Sequence, residues 1–241
     1  MAQQERAIRT RYTVLEAAAA VFASNGYEAS TISEIMSLAG VTKGALYFHF
    51  SGKEALAHAV LQHAVIIKPD NPVKMQAIVD LGLLLAYRLP REPLLQGAAR
   101  LAADQNARPF FGGPWPQWRD VIATLLTEGR SQGEVFEHID PMETANVLVG
   151  AFTGLQLVST TVDRPDSLLL LASDLYRLVL PGIAVPGVLR VLSTDPDRAH
   201  HVFDELGRPS WDLSVTFDNV PGASFPALTG RMGASVPPSK R

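Results

Sequence analysis

Helix-start signals recur at Thr31, Thr42 and Ser51, too close together for any helix between them to be long. Thr31-Ile32-Ser33-Glu34 and Ser51-Gly52-Lys53-Glu54 both read as capping boxes, in which a hydroxyl and a carboxylate satisfy orphan amides at a helix start. Thr42 can cap a third helix through about Phe48, and Ala39-Gly40-Val41 supplies the turn before it. Three short helices with tight turns are therefore crowded into residues 31–68. Ahead of them, Ile8, Tyr12, Leu15, Ala19 and Phe22 mark an amphipathic helix over Glu5 to Ser24 that ends before Asn25-Gly26.

The rest of the chain continues in helical periods. Asn71-Pro72 and Asp140-Pro141 each place a capping residue before a proline at the first helical position, and both predict the start of a long helix. Helices are also expected over Glu92 to Gln105, from Trp115 to about Gln132, over Pro165 to Leu180, and over Asp197 to Leu206. The alternating pattern of a sheet is missing, so the fold class is all-α. Three regions follow: residues 1–68 with the crowded short helices, 69–193 with the longer ones, and 194–241 as a C-terminal helix with a loosely ordered tail rich in proline, glycine and serine.

Composition narrows the function. The net charge of −3 excludes a globally basic nucleic-acid coat but leaves room for a local basic face. With no cysteine, disulfides and thiolate metal sites are excluded. The N-terminus lacks the layout of a secretory signal, and the chain reads as cytoplasmic. Residues 144–162 carry no charge and approach membrane-spanning length, but Asn146, Gln156, Ser159 and several threonines favour a buried helix of a soluble core, so no membrane partner is expected. Neither a G-x-S-x-G elbow, an H-E-x-x-H pair, a P-loop nor a dinucleotide-binding glycine pattern is present. His58 and His63, and the adjacent His200 and His201, do not make a metal set. The chain is expected to be no enzyme and to need no cofactor or metal.

A capped short helix, a turn with glycine and a second short helix with exposed donors is the arrangement in which the second helix enters a DNA major groove. Gly44 costs roughly 1 kcal/mol relative to alanine within a helix, a cost that makes sense where backbone must approach another surface. Lys43 can donate to guanine, Thr42 to a phosphate or base, and Tyr47 and His49 to phosphates. Lys53 stands at the next helix start, where it could address the same strand. On spacing alone, Tyr47 and His49 equally fit an ordinary rim. Leu46 and Phe50 read as core, and Phe48 reads as core or surface with packing favoured.

The string TISEIMSLAGVTKGALYFHFSGKEAL resembles the helix-turn-helix of TetR-family repressors. VTKGALYFHF, preceded by QERAIRTRYTVLEAAAAVF, is similar within that family to the γ-butyrolactone receptors of filamentous bacteria. The resemblance is specific over about the first sixty residues and elsewhere is one of helix pattern. It implies a homodimer on a pseudo-palindromic double-stranded DNA operator, released by a small γ-butyrolactone-like ligand or an antibiotic, in the control of antibiotic or secondary-metabolite genes. It places Thr42, Lys43, Gly44, Tyr47, His49 and Lys53 at DNA-facing positions, and Arg6, Arg9 and Arg11 where helix one touches backbone or minor groove. These arginines equally fit a solvated basic start.

For the ligand, Trp118 after PFFGGPWP matches in context the tryptophan lining the lactone pocket of such receptors. Thr153 and Gln156 recur among apolar neighbours on one side of their helix and could orient a carbonyl or hydroxyl, although a buried interhelix bond or a dimer contact fits each as well. Tyr87 and Gln62 are weaker candidates. The chain also departs from the receptor pattern: AVIIKPDNPVK is a shorter connection, Ala64 stands where those receptors carry glutamine, and the tail is longer. A pseudo-receptor tuned to an antibiotic or biosynthetic intermediate, or a ligand-blind regulator, are the alternatives.

Overall fold

The computed structural model describes residues 2–63, 69, 71–104, 115–161 and 166–205. The expected tail from Gly207, most of PFFGGPWP, Ala64 and the boundary at residue 68 lie outside the described residues. Those described are almost entirely helical: α1 (Ala2–Ala29), α2 (Ile32–Ala39), α3 (Lys43–His49), α4 (Lys53–His63), α5 (Lys74–Arg88), α6 (Pro93–Ala103), α7 (Trp115–Ser131), α8 (Pro141–Ser159), α9 (Ser167–Val179), α10 (Pro186–Leu189) and α11 (Arg198–Glu205). A 3-10 turn, Leu180–Gly182, follows α9, and a β-bridge joins Val135 to Ala184.

Local chemistry sets the boundaries. The helix begun at Ala2 breaks at Gly26, whose φ of 73° no helix interior allows, and the chain then turns through Ala29. At Thr31 the capping box forms as read: the Thr31 hydroxyl accepts from the Glu34 amide and the Glu34 carboxylate accepts from the Thr31 amide. Gly40, at φ 64° and ψ 33°, terminates α2 in the left-handed conformation. Thr42 caps α3 by accepting from the Ala45 amide, and Asp140 caps α8 by accepting from the Glu143 amide. The Asn71-Pro72 start is corrected. Asn71 accepts from the Val73 amide in a local turn, and α5 begins at Lys74, where the buried Glu134 carboxylate accepts from the Lys74 and Met75 amides.

Two hydrophobic cores result. The first packs Val14, Leu15, Ala18 and Phe22 of α1 against Ile35, Leu46, Phe50, Leu56 and Val60, and is completed by Leu94, Ala98 and Leu101 of α6. The second gathers α5, α7, α8 and α9 around Ile78, Leu83, Leu125, Leu126, Leu148 and Ala172. Here α11 packs on α5: Arg198 donates to both carboxylate oxygens of the buried Asp80, and Ala199 joins the second core. Thus α6 belongs to both halves. Where it crosses α1, an added Cβ on Gly97 would stand 2.6 Å from the Ala19 carbonyl oxygen. Among the described residues no helix is long and apolar enough to cross a membrane.

Candidate DNA-reading face and sensor cavity

Helix α3 divides its residues cleanly. Leu46 and Phe50, four apart, turn into the first core, and Tyr47 and Phe48 between them turn outward. Thr42, Lys43 and Gly44 are exposed, and Tyr47 stands beside them with the Lys43 ammonium 5.9 Å from its ring centroid. Thr42 accepts from an amide but keeps its hydroxyl proton for a phosphate or base. A Cβ on Gly44 would meet nothing within 4 Å, so no packing inside the chain demands glycine there.

His49 lies half-buried at the end of α3 and makes an edge contact with the Phe48 ring, 5.0 Å between centroids. Burial, and then the Arg11 guanidinium, hold its pKa below the ordinary histidine value. Arg11 reaches over the Phe50 ring, 4.6 Å from its centroid, and burial lowers its pKa. Among the described residues its Nη1 has no hydrogen-bond partner. Arg6 and Arg9 are exposed along the same helix.

Two aromatic and basic residues are placed differently from the sequence reading. Phe48, favoured for the core, is 79% exposed, because it lies two positions from both Leu46 and Phe50 and so faces away from them. That spacing was the signal that could have found it. Lys53 turns inward: its ammonium donates to the carbonyls of Tyr27, Glu28 and Ser30 and lies 4.5 Å from the Tyr27 ring centroid. It clamps the end of α1 and is not free to address the DNA strand.

The second core encloses a cavity with an empty volume of about 730 Å³, solvent at its mouth included. Its walls come from α5, α6, α7, α8 and α9 and are mostly aliphatic. Trp118, Thr153 and Gln156 all line it. Tyr176, which the sequence reading missed, closes it from α9; its hydroxyl donates to the Ile78 carbonyl, and burial with the nearby Asp80 raises its pKa. Gly82 faces Tyr176, and any Cβ there would overlap the phenol. Tyr87 and Gln62 do not line the cavity. Tyr87 is covered by α11, its ring 4.5 Å from that of His200 and 5.4 Å from that of Phe203, and Gln62 is exposed near the end of α4.

A capped helix-turn-helix joined through one shared helix to an apolar cavity is the architecture of a helix-turn-helix transcriptional regulator. Residues 14–60 match the bacterial regulatory proteins of the tetR family. The A-factor receptor protein of Streptomyces griseus is 41% identical over 193 residues, covering 78% of this chain and 69% of that protein. Full-length native tylp, a TetR regulator from Streptomyces fradiae, superposes with a TM-score of 0.76 at 40% identity, covering 84% of this chain and all of that one. A gamma-butyrolactone receptor (ArpA-like protein) superposes with a TM-score of 0.62 at 30% identity over 83% of this chain and 98% of that one. The chain belongs to the TetR family of bacterial transcriptional regulators.

Proposed function

We propose that this chain is a ligand-responsive repressor that binds a pseudo-palindromic operator as a homodimer and leaves it when a γ-butyrolactone-type signal fills the cavity. The likeness to an A-factor receptor and to a gamma-butyrolactone receptor supports the signal class, and the targets we infer, in the cytoplasm, are antibiotic or secondary-metabolite genes, as the sequence resemblance implies. The operator is read by Thr42, Lys43, Gly44, Tyr47 and His49, with Arg6, Arg9 and Arg11 on the flanking backbone.

The observation that carries the mechanism is the position of α6. Leu95, Ala98 and Ala99 line the cavity, while Leu94, Ala98 and Leu101 sit in the core of the DNA-reading half and Gly97 lies against Ala19. A ligand that displaces the cavity side of α6 moves α1 with it, because close-packed interfaces transmit strain rather than absorb it. In a dimer with its recognition helices about 34–36 Å apart, such a movement breaks the match to successive major grooves.

The partner surface has its own support. Along α8, Val147, Gly150, Gly154, Leu157 and Val158 follow helical spacing on the outside; Val147 and Leu157 are mostly exposed, and both glycines face open space. Leu178 of α9 is likewise exposed. A second copy buries this stripe.

The test is a mobility shift with the DNA upstream of the chain's own gene, repeated with γ-butyrolactones, butenolides and antibiotics. Sequence-specific retardation released by a lactone is expected. Release only by an antibiotic would establish the pseudo-receptor reading instead, and release by nothing would leave a ligand-blind regulator.

A further inference from the structure

The described polar side chains of the cavity wall are four, Thr153, Tyr176, Trp118 and Gln156, and the first two already have their donor committed. Thr153 donates its hydroxyl proton to the Val149 carbonyl, 2.8 Å away, and Tyr176 donates to that of Ile78. Each can offer a ligand only a lone pair. The Trp118 indole N–H can only donate, and the Gln156 amide can do both; among the described residues neither has a partner. No charged side chain lines the described wall. The first turn of α7, which carries Trp118, adds no more than the partial charge of a helix start. Asp80, the charge that acts on Tyr176, is negative and already held by Arg198.

We infer that the cavity accepts an uncharged ligand that brings a hydrogen-bond donor of its own, a hydroxyl rather than a ketone, and rejects carboxylates. This deepens the proposed function and rests on it for the site. A ligand carbonyl takes the protons of Gln156 and Trp118, while a ligand hydroxyl gives its proton to Thr153 or Tyr176. A ketone at that second place sets lone pairs against lone pairs. A carboxylate loses its hydration with no cation to replace it. The consequence reaches past binding. Water adding to the carbonyl of a lactone breaks the ring C–O bond and leaves a hydroxycarboxylate and a proton, so ring-opening hydrolysis is the class of reaction that ends the signal for this protein.

The experiment uses the full chain with N-phenyl-1-naphthylamine, an uncharged apolar fluorophore, as the displaceable probe. Competitors are a hydroxyalkyl γ-butyrolactone, its ketone twin, its base-hydrolysed salt, and the separate pair decanamide and decanoate. The hydroxyl lactone should displace the probe at about tenfold lower concentration than the ketone. Each carboxylate should be at least about 100-fold weaker than its uncharged twin. A carboxylate within tenfold of its twin, or a ketone equal to the hydroxyl compound, overturns the inference. If both lactones are silent while decanamide outcompetes decanoate, the charge rule stands and the lactone reading falls. If the probe fails to bind, or no uncharged compound displaces it, the cavity is no ligand site and the inference falls with it.

Discussion

Gly97 of α6 lies against the backbone of Ala19 in α1, with no room for a side chain: an added Cβ would stand 2.6 Å from the Ala19 carbonyl oxygen and 2.8 Å from its Cα. Backbone cannot swing aside as a flexible side chain can. Gly97→Ala must part the two helices, and the overpacking is expected to destabilise the fold by about 1–3 kcal/mol. If α6 carries the ligand signal, the variant should also bind operator less well even without ligand. Urea unfolding and operator titration check the two effects separately. An unchanged unfolding midpoint would mean that α1 and α6 are not held this close.

Phe48 and Phe50 are two aromatics of opposite fate. Phe50 is buried in the first core under Arg11, and Phe50→Ala should cost about 3–5 kcal/mol. Phe48 is exposed, so Phe48→Ala should change stability by less than about 0.5 kcal/mol while weakening operator binding through lost apolar contact with a thymine methyl or the sugar face. Equal operator affinity for Phe48→Ala would remove the ring from the DNA face.

These two residues also show what the sequence makes legible. Helix starts encoded within one turn, such as the Thr31 and Glu34 box, can be read directly because both partners are local. The start of α5 cannot, because its first amides are satisfied by Glu134, distant in sequence and brought there only by the fold. Thr153 and Gln156 share a helical face at a spacing of three, and the structure puts both in the cavity wall. The placement of Tyr87 and the role of Tyr176 depend on which neighbouring helix covers them, and that of Gln62 on none doing so, which no local pattern encodes. Lys53 illustrates the same limit: a lysine at a helix start looks free until the carbonyls of a broken helix converge on it.

Trp118→Ala is expected to leave operator binding intact and abolish release by ligand, since the indole, with Ile122, is the wall contributed by α7. Trp118→Phe keeps an aromatic surface but loses the N–H, and should retain release at a ligand concentration raised by about two- to tenfold. Mobility shifts across a ligand series distinguish the two variants. Normal release by Trp118→Ala would take the residue out of the binding site.

Lys43 and Lys53 should separate DNA binding from stability. Lys43→Ala is expected to weaken operator binding and, where the lysine meets a phosphate, to lower the slope of log affinity against log salt by about 1, with the fold unaffected. Lys53→Met removes three hydrogen bonds to carbonyls and should destabilise the fold by about 1–3 kcal/mol. Salt-dependent anisotropy titrations and thermal unfolding read the two outcomes. A Lys53→Met protein of unchanged stability that binds DNA poorly would return Lys53 to the interface.

His49 makes operator binding depend on pH with a definite sign. Burial and Arg11 depress its pKa in the free protein, so near neutrality the imidazole is uncharged. A phosphodiester placed against it favours the imidazolium, so binding takes up a proton and operator affinity should rise as pH falls from about 7.5 to 5.5. The free protein responds in the opposite direction. A folded-state pKa below the unfolded value gives a stability contribution that is complete above about 6.5 and lost as pH falls through the folded pKa. Acidification at constant ionic strength should thus tighten the complex while loosening the free fold, and His49→Gln should flatten both profiles. A wild-type affinity profile no steeper than that of His49→Gln would show that the imidazole does not meet the phosphate.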